Sequence, residues 1–189
     1  MGVFYKIKEF LFVELRILKY RILSDCKKIK GKPTLYHPLL LKGKGTVQFG
    51  DQVQIGVKAS PYFYSHYAYI EARFESSQII IGNNVAINNA LSLVSYSKIV
   101  IGNNVLIGTH CNMMDNDAHQ LHSEKRNELP ESSEIHIEDN VFIGSNVTLL
   151  KGVRIGKNSV IGNGSIVTKS IPPNTVAAGN PIRIIKSIP

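Results

Sequence analysis

The sequence predicts an all-β solenoid, because its aliphatic residues recur at a fixed interval of six. From residue 137 to residue 167 an Ile, Leu or Val stands at every sixth position without a break in phase. A small or β-branched residue follows four positions after each of these anchors. Such a period is typical of a parallel β-helix, in which each coil buries the apolar face of its neighbour. The anchors are Ile137, Ile143, Leu149, Ile155, Ile161 and Val167.

The composition indicates one folded domain with an anionic partner. The chain has 189 residues, 43% of them hydrophobic and 19% charged, which excludes a disordered chain. Its net charge is +8 and its pI is about 9.5, which favours nucleic acid, a membrane surface or a phosphorylated ligand. No nucleic-acid motif and no interleaving of aromatic and basic residues is present, so we expect no nucleic-acid partner.

The start of the chain and the two cysteines indicate a cytoplasmic protein. Charged residues interrupt the apolar segment near the start, so we expect neither a secretory signal nor a membrane span. Cys26 and Cys111 form no disulfide framework and neither belongs to a C-x-x-C pair, so we expect a reduced compartment. Cys111 stands four residues after Ile107, at an inward position of its hexad, and is expected to pack as a small hydrophobe.

The sequence divides into three parts: residues 1–32, residues 33–171 with a loop at 115–135, and a tail at 172–189. The first part predicts an amphipathic helix over 3–23, followed by a basic segment, because apolar residues recur at helical spacing. This helix either covers the first coil of the solenoid or lies on anionic lipid at the inner face of the plasma membrane. Its apolar stripe consists of Phe4, Ile7, Leu11, Leu15, Leu18 and Ile22.

Two stretches interrupt the hexads. Residues 59–75 are rich in Tyr and Phe, which fit either stacking on a sugar or the packing of an irregular coil. Residues 116–134 are polar and have no hexads. A long loop within a regular array is usually functional or disordered.

His119 is the candidate for catalytic chemistry. It follows Asp115 and Asp117 in the pattern D-x-D-x-H at the start of the loop. A histidine is largely neutral at pH 7 and suits a general base, and a carboxylate at its second ring nitrogen would fix the tautomer. The same pattern fits a metal site or a solvated loop, but the spacing of the histidines is not that of a zinc site, and we expect no metal.

Several segments together resemble the hexapeptide-repeat acetyltransferases. The similarity extends to the maltose and galactoside O-acetyltransferases and to relatives that acetylate capsule, O-antigen and other surface glycans. It covers residues 80–186 closely and the first eighty residues loosely. The segments that carry it are Ile101–Gly108, Asp115–His119, Asn140–Ser145, Val160–Lys169 and Ile171–Pro181.

The resemblance implies a homotrimer of left-handed β-helices with an active site in each cleft between neighbours. It implies acetyl-coenzyme A as acetyl donor, no metal, and His119 as the base that deprotonates the acceptor hydroxyl for direct attack on the thioester. Asn88 matches an asparagine that holds the acceptor, and Asp117 either binds the sugar, orients His119 or begins the loop. The positions that the resemblance assigns to coenzyme A are Ser145, Asn163, Thr168, Lys169, Arg183 and Lys186.

The charge distribution agrees with this assignment, because Lys and Arg are natural partners of phosphate and they are frequent in the last third of the chain. One departure concerns residues 93–96, which lack the carboxylates of the small-sugar enzymes. We therefore expect an O-acetyltransferase whose acceptor is a sugar, nucleotide-sugar or lipid-linked glycan precursor. The alternatives are N-acetylation of an amino sugar on a nucleotide carrier and a non-catalytic scaffold.

Overall fold

A computed structural model describes residues 7–189 and arranges them as a prism with three sides. Each coil contributes one short strand to each of three sheets, and the strands pair in parallel from coil to coil. The predicted all-β solenoid is therefore confirmed.

The three sheets are named A, B and C in the order in which the chain visits them. Sheet A consists of β1 (Lys28–Lys30), β4 (Thr46–Phe49), β7 (Gln78–Ile81), β10 (Lys98–Ile101), β13 (Ile135–Ile137) and β16 (Arg154–Ile155). Sheet B consists of β2 (Thr34–Leu35), β5 (Gln54–Ile55), β8 (Ala86–Ile87), β11 (Leu106–Ile107), β14 (Phe142–Ile143), β17 (Val160–Ile161), β19 (Thr175–Ala178) and β20 (Arg183–Ser187). Sheet C consists of β3 (Leu39–Lys42), β6 (Ala68–Ala72), β9 (Ser92–Ser95), β12 (Asn112–Met114), β15 (Thr148–Leu149) and β18 (Ile166–Val167).

The hexad anchors form the core of the prism. In sheet B, Ile107 pairs with Ile87 on one side and with Ile143 on the other, and Ile143 pairs with Ile161. All four are buried, as is Cys111 at the inward position predicted for it. The repeat is therefore a stack of equivalent inward positions, each of which buries the one before it.

Asparagine makes the corner between sheets A and B. Asn84, Asn104, Asn140, Asn158 and Asn174 all have φ between 54° and 61°, a left-handed conformation that asparagine tolerates better than most residues. Their side chains also bond along the prism, as from Asn84 Nδ2 to Asn104 Oδ1 at 2.8 Å and from Asn158 Nδ2 to Asn174 Oδ1 at 2.7 Å. The Asn of the hexads thus sets the turn and links successive coils.

Two insertions leave this regular frame. Residues 56–67 connect β5 to β6, and this segment is named the aromatic loop. Residues 115–134 connect β12 to β13 and include a single 3₁₀ turn at Ser123–Lys125; this segment is named the long loop. At the other end of the prism, β20 pairs antiparallel with β19 and ends sheet B.

The N-terminal helix covers residues 7–23. It includes a π-helical segment, Phe10–Glu14, and helix α1, Leu15–Leu23. The predicted helix is confirmed over this range, and residues 3–6 of the prediction, with Phe4, lie outside the described residues. Val13 and Ile17 are its buried apolar side chains, whereas the predicted apolar stripe is exposed. The helix therefore does not pack against the prism through its apolar stripe. It packs through the face that carries Val13 and Ile17.

Candidate active site

The long loop begins at Asp115, which ties both of its ends to the prism. The buried Asp115 carboxylate accepts hydrogen bonds from Ser95 Oγ at 2.8 Å, Tyr96 N at 2.6 Å and Ser97 N at 2.9 Å. The Asp115 carbonyl accepts a bond from Ser133 N at 2.9 Å, near the end of the loop. The first acid of the D-x-D-x-H pattern is thus an anchor of the loop.

Asn116 fixes the turn that follows. Its side-chain amide donates to the Pro130 carbonyl at 2.8 Å and to Ser132 Oγ at 2.9 Å, and its Oδ1 accepts a bond from Ala118 N at 2.7 Å. Asn116 is itself buried. Two successive buried polar residues therefore determine the position of His119, three residues further on.

The ring of His119 has a defined tautomer. Its Nδ1 lies 2.8 Å from the carbonyl oxygen of Arg126. A carbonyl can only accept, so Nδ1 carries the proton and Nε2 keeps the free lone pair of a base. The sequence predicted that a carboxylate would fix the tautomer; in the structure a peptide carbonyl within the same loop does so.

Asp117 lies beside His119 but does not orient its ring. The Asp117 carboxylate pairs with Lys151 Nζ at 2.6 Å, and Lys151 also donates to the Glu131 carbonyl at 3.0 Å. Among the described residues, the hydrogen bond that joins the two residues runs from His119 N to the Asp117 carbonyl at 2.7 Å. Asp117 therefore joins the loop to the corner that follows β15.

An open cleft of about 850 Å³ separates the long loop from the outer face of sheet C. His119 lines this cleft together with polar groups of both walls and the exposed apolar side chain of Met114. A ligand with hydroxyl and apolar faces therefore fits the cleft. The lining residues that matter here are Ser92, Asn112, Met114, His119, Arg126 and Lys151.

The corner between sheets B and C, named the B–C corner, holds Asn88, Ser145 and Asn163. The three residues share this corner because each follows a strand of sheet B. Ser145 N donates to Asn163 Oδ1 at 2.7 Å, and Ser145 Oγ accepts a bond from Thr109 N at 3.2 Å. Asn88 lines a separate cavity of about 200 Å³ with Leu106. A single chain therefore does not place Asn88 in the cleft of His119.

The remaining predicted cofactor residues occupy two places. Thr168 and Lys169 follow β18 at the corner between sheets C and A, named the C–A corner, where the long loop also leaves the prism. Arg183 and Lys186 lie on β20, where Arg183 pairs with Ala178 at the end of the B–C corner. All four predicted residues are exposed. Thr168 and Lys169 lie at one edge of sheet C and Arg183 at the other, whereas Lys186 pairs with Val176, farther back along sheet B.

A polar cluster that the sequence did not reveal borders the cleft on sheet C. Arg73 donates to Glu71 at 2.9 and 2.8 Å and lies 4.5 Å from the centre of the Tyr96 ring, while Tyr69 Oη donates to Glu71 at 2.8 Å. Tyr69 pairs with Ser92, which lines the cleft. The spacing of Glu71 and Arg73 on one face of a strand was the signal available in the sequence.

Electrostatics fixes the protonation of this cluster. The hydrogen bonds from the Arg73 guanidinium lower the pKa of Glu71. Burial and then the bond to Glu71 raise the pKa of Tyr69 to about 12. The cluster therefore presents an ionised carboxylate and a protonated phenol. Within residues 7–189 no group of three or more His, Cys, Asp or Glu side chains is placed to hold a metal ion.

Comparisons with known proteins agree with this geometry. Residues 134–169 match the family model described as hexapeptide repeat of succinyl-transferase. The chain is 37% identical to the galactoside O-acetyltransferase of Escherichia coli K12 over 171 residues, which covers 86% of this chain and 79% of that enzyme. It is 39% identical to the galactoside O-acetyltransferase of Lactococcus lactis over 118 residues, which covers 62% of this chain and 56% of that enzyme.

Solved structures give the same result. A galactoside acetyltransferase in complex with coenzyme A superposes with a TM-score of 0.54 and 32% identity, over 83% of this chain and 64% of that one. A hexapeptide-repeat acetyltransferase of Vibrio cholerae with acetyl-coenzyme A superposes with a TM-score of 0.53 and 26% identity, over 93% of this chain and 78% of that one. The chain therefore belongs to the hexapeptide-repeat acetyltransferase family, which confirms the left-handed parallel β-helix and the acetyl-coenzyme A-dependent acyltransferase predicted from the sequence.

Proposed function

We propose that the protein transfers the acetyl group of acetyl-coenzyme A to a sugar hydroxyl of a surface-glycan precursor, with His119 as general base. The observation that carries this proposal is the bond from His119 Nδ1 to the Arg126 carbonyl, which leaves Nε2 as a base within the cleft. The similarity to enzymes named galactoside O-acetyltransferases supports a sugar as acceptor.

The proposed reaction is a direct transfer. His119 Nε2 takes the proton of the acceptor hydroxyl as its oxygen attacks the thioester carbonyl carbon. The C–S bond then breaks, the thiolate leaves, and the imidazolium returns the proton to sulfur. The products are an acetyl ester and the free thiol of coenzyme A. Throughout, the Arg126 carbonyl accepts a hydrogen bond from Nδ1–H and so stabilises the imidazolium.

The residues assigned to coenzyme A fit such a ligand. Lys169, Arg183 and Lys186 are exposed cations, and Lys and Arg bind phosphate through charge-assisted hydrogen bonds. Along the B–C corner, Ser145 and Asn163 form a polar edge between Asn88 and Arg183. The close packing of this edge suits an extended pantetheine arm.

We also propose that the enzyme acts as a homotrimer. Asn88, Ser145, Asn163 and Arg183 lie along the B–C corner, whereas His119 belongs to the loop that leaves the C–A corner. Sheet C separates these two edges within one chain. A neighbouring copy that presents its B–C corner to the cleft would join the two sets in one site.

The proposed acceptor is a glycan precursor made in the cytoplasm. Residues 93–96, where the sequence lacks the carboxylates of small-sugar enzymes, are buried, and Ser95 and Tyr96 hold Asp115. Glu71 lies beside Val94, in the neighbouring coil of sheet C. An acceptor that uses Glu71 reaches farther along sheet C than one bound at residues 93–96, which favours a sugar with further units attached.

The test is a comparison of His119→Ala with His122→Ala, a matched change in the same loop at an exposed residue outside the cleft lining. We expect calorimetry to show acetyl-coenzyme A binding to the wild type and to both variants. Turnover should fall by about 10²–10⁴-fold in His119→Ala only. A wild type that binds no acetyl-coenzyme A favours the scaffold alternative, and equal turnover of the two variants refutes the role of His119. Turnover with amine but not with hydroxyl acceptors would replace O-acetylation by N-acetylation.

A further inference from the structure

The N-terminal helix docks on the protein through one defined face. Val13 and Ile17 pack with Phe63 of the aromatic loop in a small apolar cluster. Arg16 donates to the carbonyls of Phe63 (3.2 Å) and His66, and Tyr20 stacks on Tyr67 with ring centres 4.4 Å apart. These contacts fix the rotation of the helix about its axis.

The face turned away from these contacts is apolar. Five residues at intervals of four, four, three and four form one stripe along the helix, and each has at least 42% of its surface exposed. A solvated helix normally presents polar residues on this side, so the stripe is suited to an apolar environment outside the chain. Its members are Ile7 (51%), Leu11 (49%), Leu15 (42%), Leu18 (49%) and Ile22 (74%).

The surroundings of the stripe are strongly basic. Residues 7–32 contain eight Lys or Arg and only three Asp or Glu. Two of the three acids are neutralised from elsewhere in the chain, Glu9 by Lys58 and Asp25 by Lys42. The exposed cations of this segment that have no ion pair with another described residue include Arg21, Lys27, Lys30 and Lys32.

We propose that this face binds the surface of a bilayer that contains anionic lipid, with the stripe inserted among the acyl chains and the cations at the headgroups. An apolar stripe flanked by cations is the pattern of a helix that lies in the plane of the interface. Within residues 7–189 no helix is long and apolar enough to cross a membrane. A second copy of the chain is disfavoured as occupant, because a symmetric contact would bring two basic segments together.

Vesicle sedimentation tests the proposal. We expect the wild type to bind phosphatidylcholine vesicles that contain phosphatidylglycerol, to bind pure phosphatidylcholine vesicles much more weakly, and to dissociate from the former in high salt. Leu18→Glu, at an exposed stripe residue, should weaken binding at least about tenfold. Leu129→Glu, at an equally exposed residue of the long loop (51%), should leave binding unchanged.

Two further readouts decide between outcomes. Circular dichroism establishes that both variants are folded, and acetyl transfer to a soluble sugar should be equal in both, which separates this inference from the proposed chemistry. Equal vesicle binding by the two variants, or no preference for anionic vesicles, overturns the proposal. If the wild type does not bind vesicles and Leu18→Glu disrupts a contact between subunits, the stripe is instead an interface between copies of the chain.

Discussion

Replacing Asp115 with alanine would remove the acceptor that holds the base of the long loop. The buried peptide N–H of Tyr96 and the half-buried N–H of Ser97 would each lose their partner. The Ser95 hydroxyl also lies 3.3 Å from the Gln78 carbonyl and would keep an acceptor. An unsatisfied buried donor costs about 1–3 kcal/mol. Two such donors give an expected destabilisation of about 2–6 kcal/mol, to which Tyr96, the fully buried one, contributes most.

Asp117→Ala is the matched control, two residues further along the same pattern. Its carboxylate pairs with Lys151 at the surface, where both side chains are partly exposed (39% and 28%), and such a pair contributes about 0–1 kcal/mol. Urea unfolding followed by circular dichroism, at one protein concentration, measures the free energy of unfolding of both variants. A difference of less than about 1 kcal/mol between them would refute the assignment of Asp115 as the anchor.

Two more predictions follow from buried groups. Burial lowers the pKa of His37, so the folded chain favours the neutral ring, while the unfolded chain takes up a proton below about pH 6.5. The contribution of His37 to the free energy of unfolding should therefore be complete above that pH and decrease below it by up to about 1.4 kcal/mol per pH unit. Unfolding experiments at several pH values should show that His37→Gln removes this contribution to the slope. An unchanged slope in the variant would contradict the prediction. Gly144→Ala places a Cβ 2.3 Å from Asn163 Oδ1 and 2.8 Å from Asn163 N, and should cost about 1–3 kcal/mol, visible as a lower Tm. An unaltered Tm would show that this corner is looser than the structure indicates.

The fold was predictable because every coil repeats one environment. Each anchor from Ile137 to Val167 faces the same axis, so one register error would expose the whole series, and the six-residue period carries this constraint directly. The corner asparagines follow from the same repeat. The sequence therefore contained both the inward positions and the turns of the prism.

The environment of His119 could not be predicted in the same way. The atom that fixes its tautomer is the backbone carbonyl of Arg126, and any residue at that position would supply it. The N-terminal helix shows a related limit. Its period revealed the apolar stripe, but the docking face depends on the carbonyls of Phe63 and His66, which leave no trace in the hydrophobic pattern.

The D-x-D-x-H pattern combines three physical roles that the sequence alone does not separate. Asp115 is buried and holds the loop to the prism, Asp117 holds it to Lys151 from the surface, and only His119 keeps a free lone pair in the cleft. A catalytic base on a loop must be fixed to within a fraction of an ångström, yet it must remain accessible to both substrates. Asp115 is buried four residues before His119, the proposed base, which is exposed, so the loop satisfies both needs. Substitutions at the first acid should therefore reduce stability and activity together, whereas substitutions at the histidine should reduce activity alone.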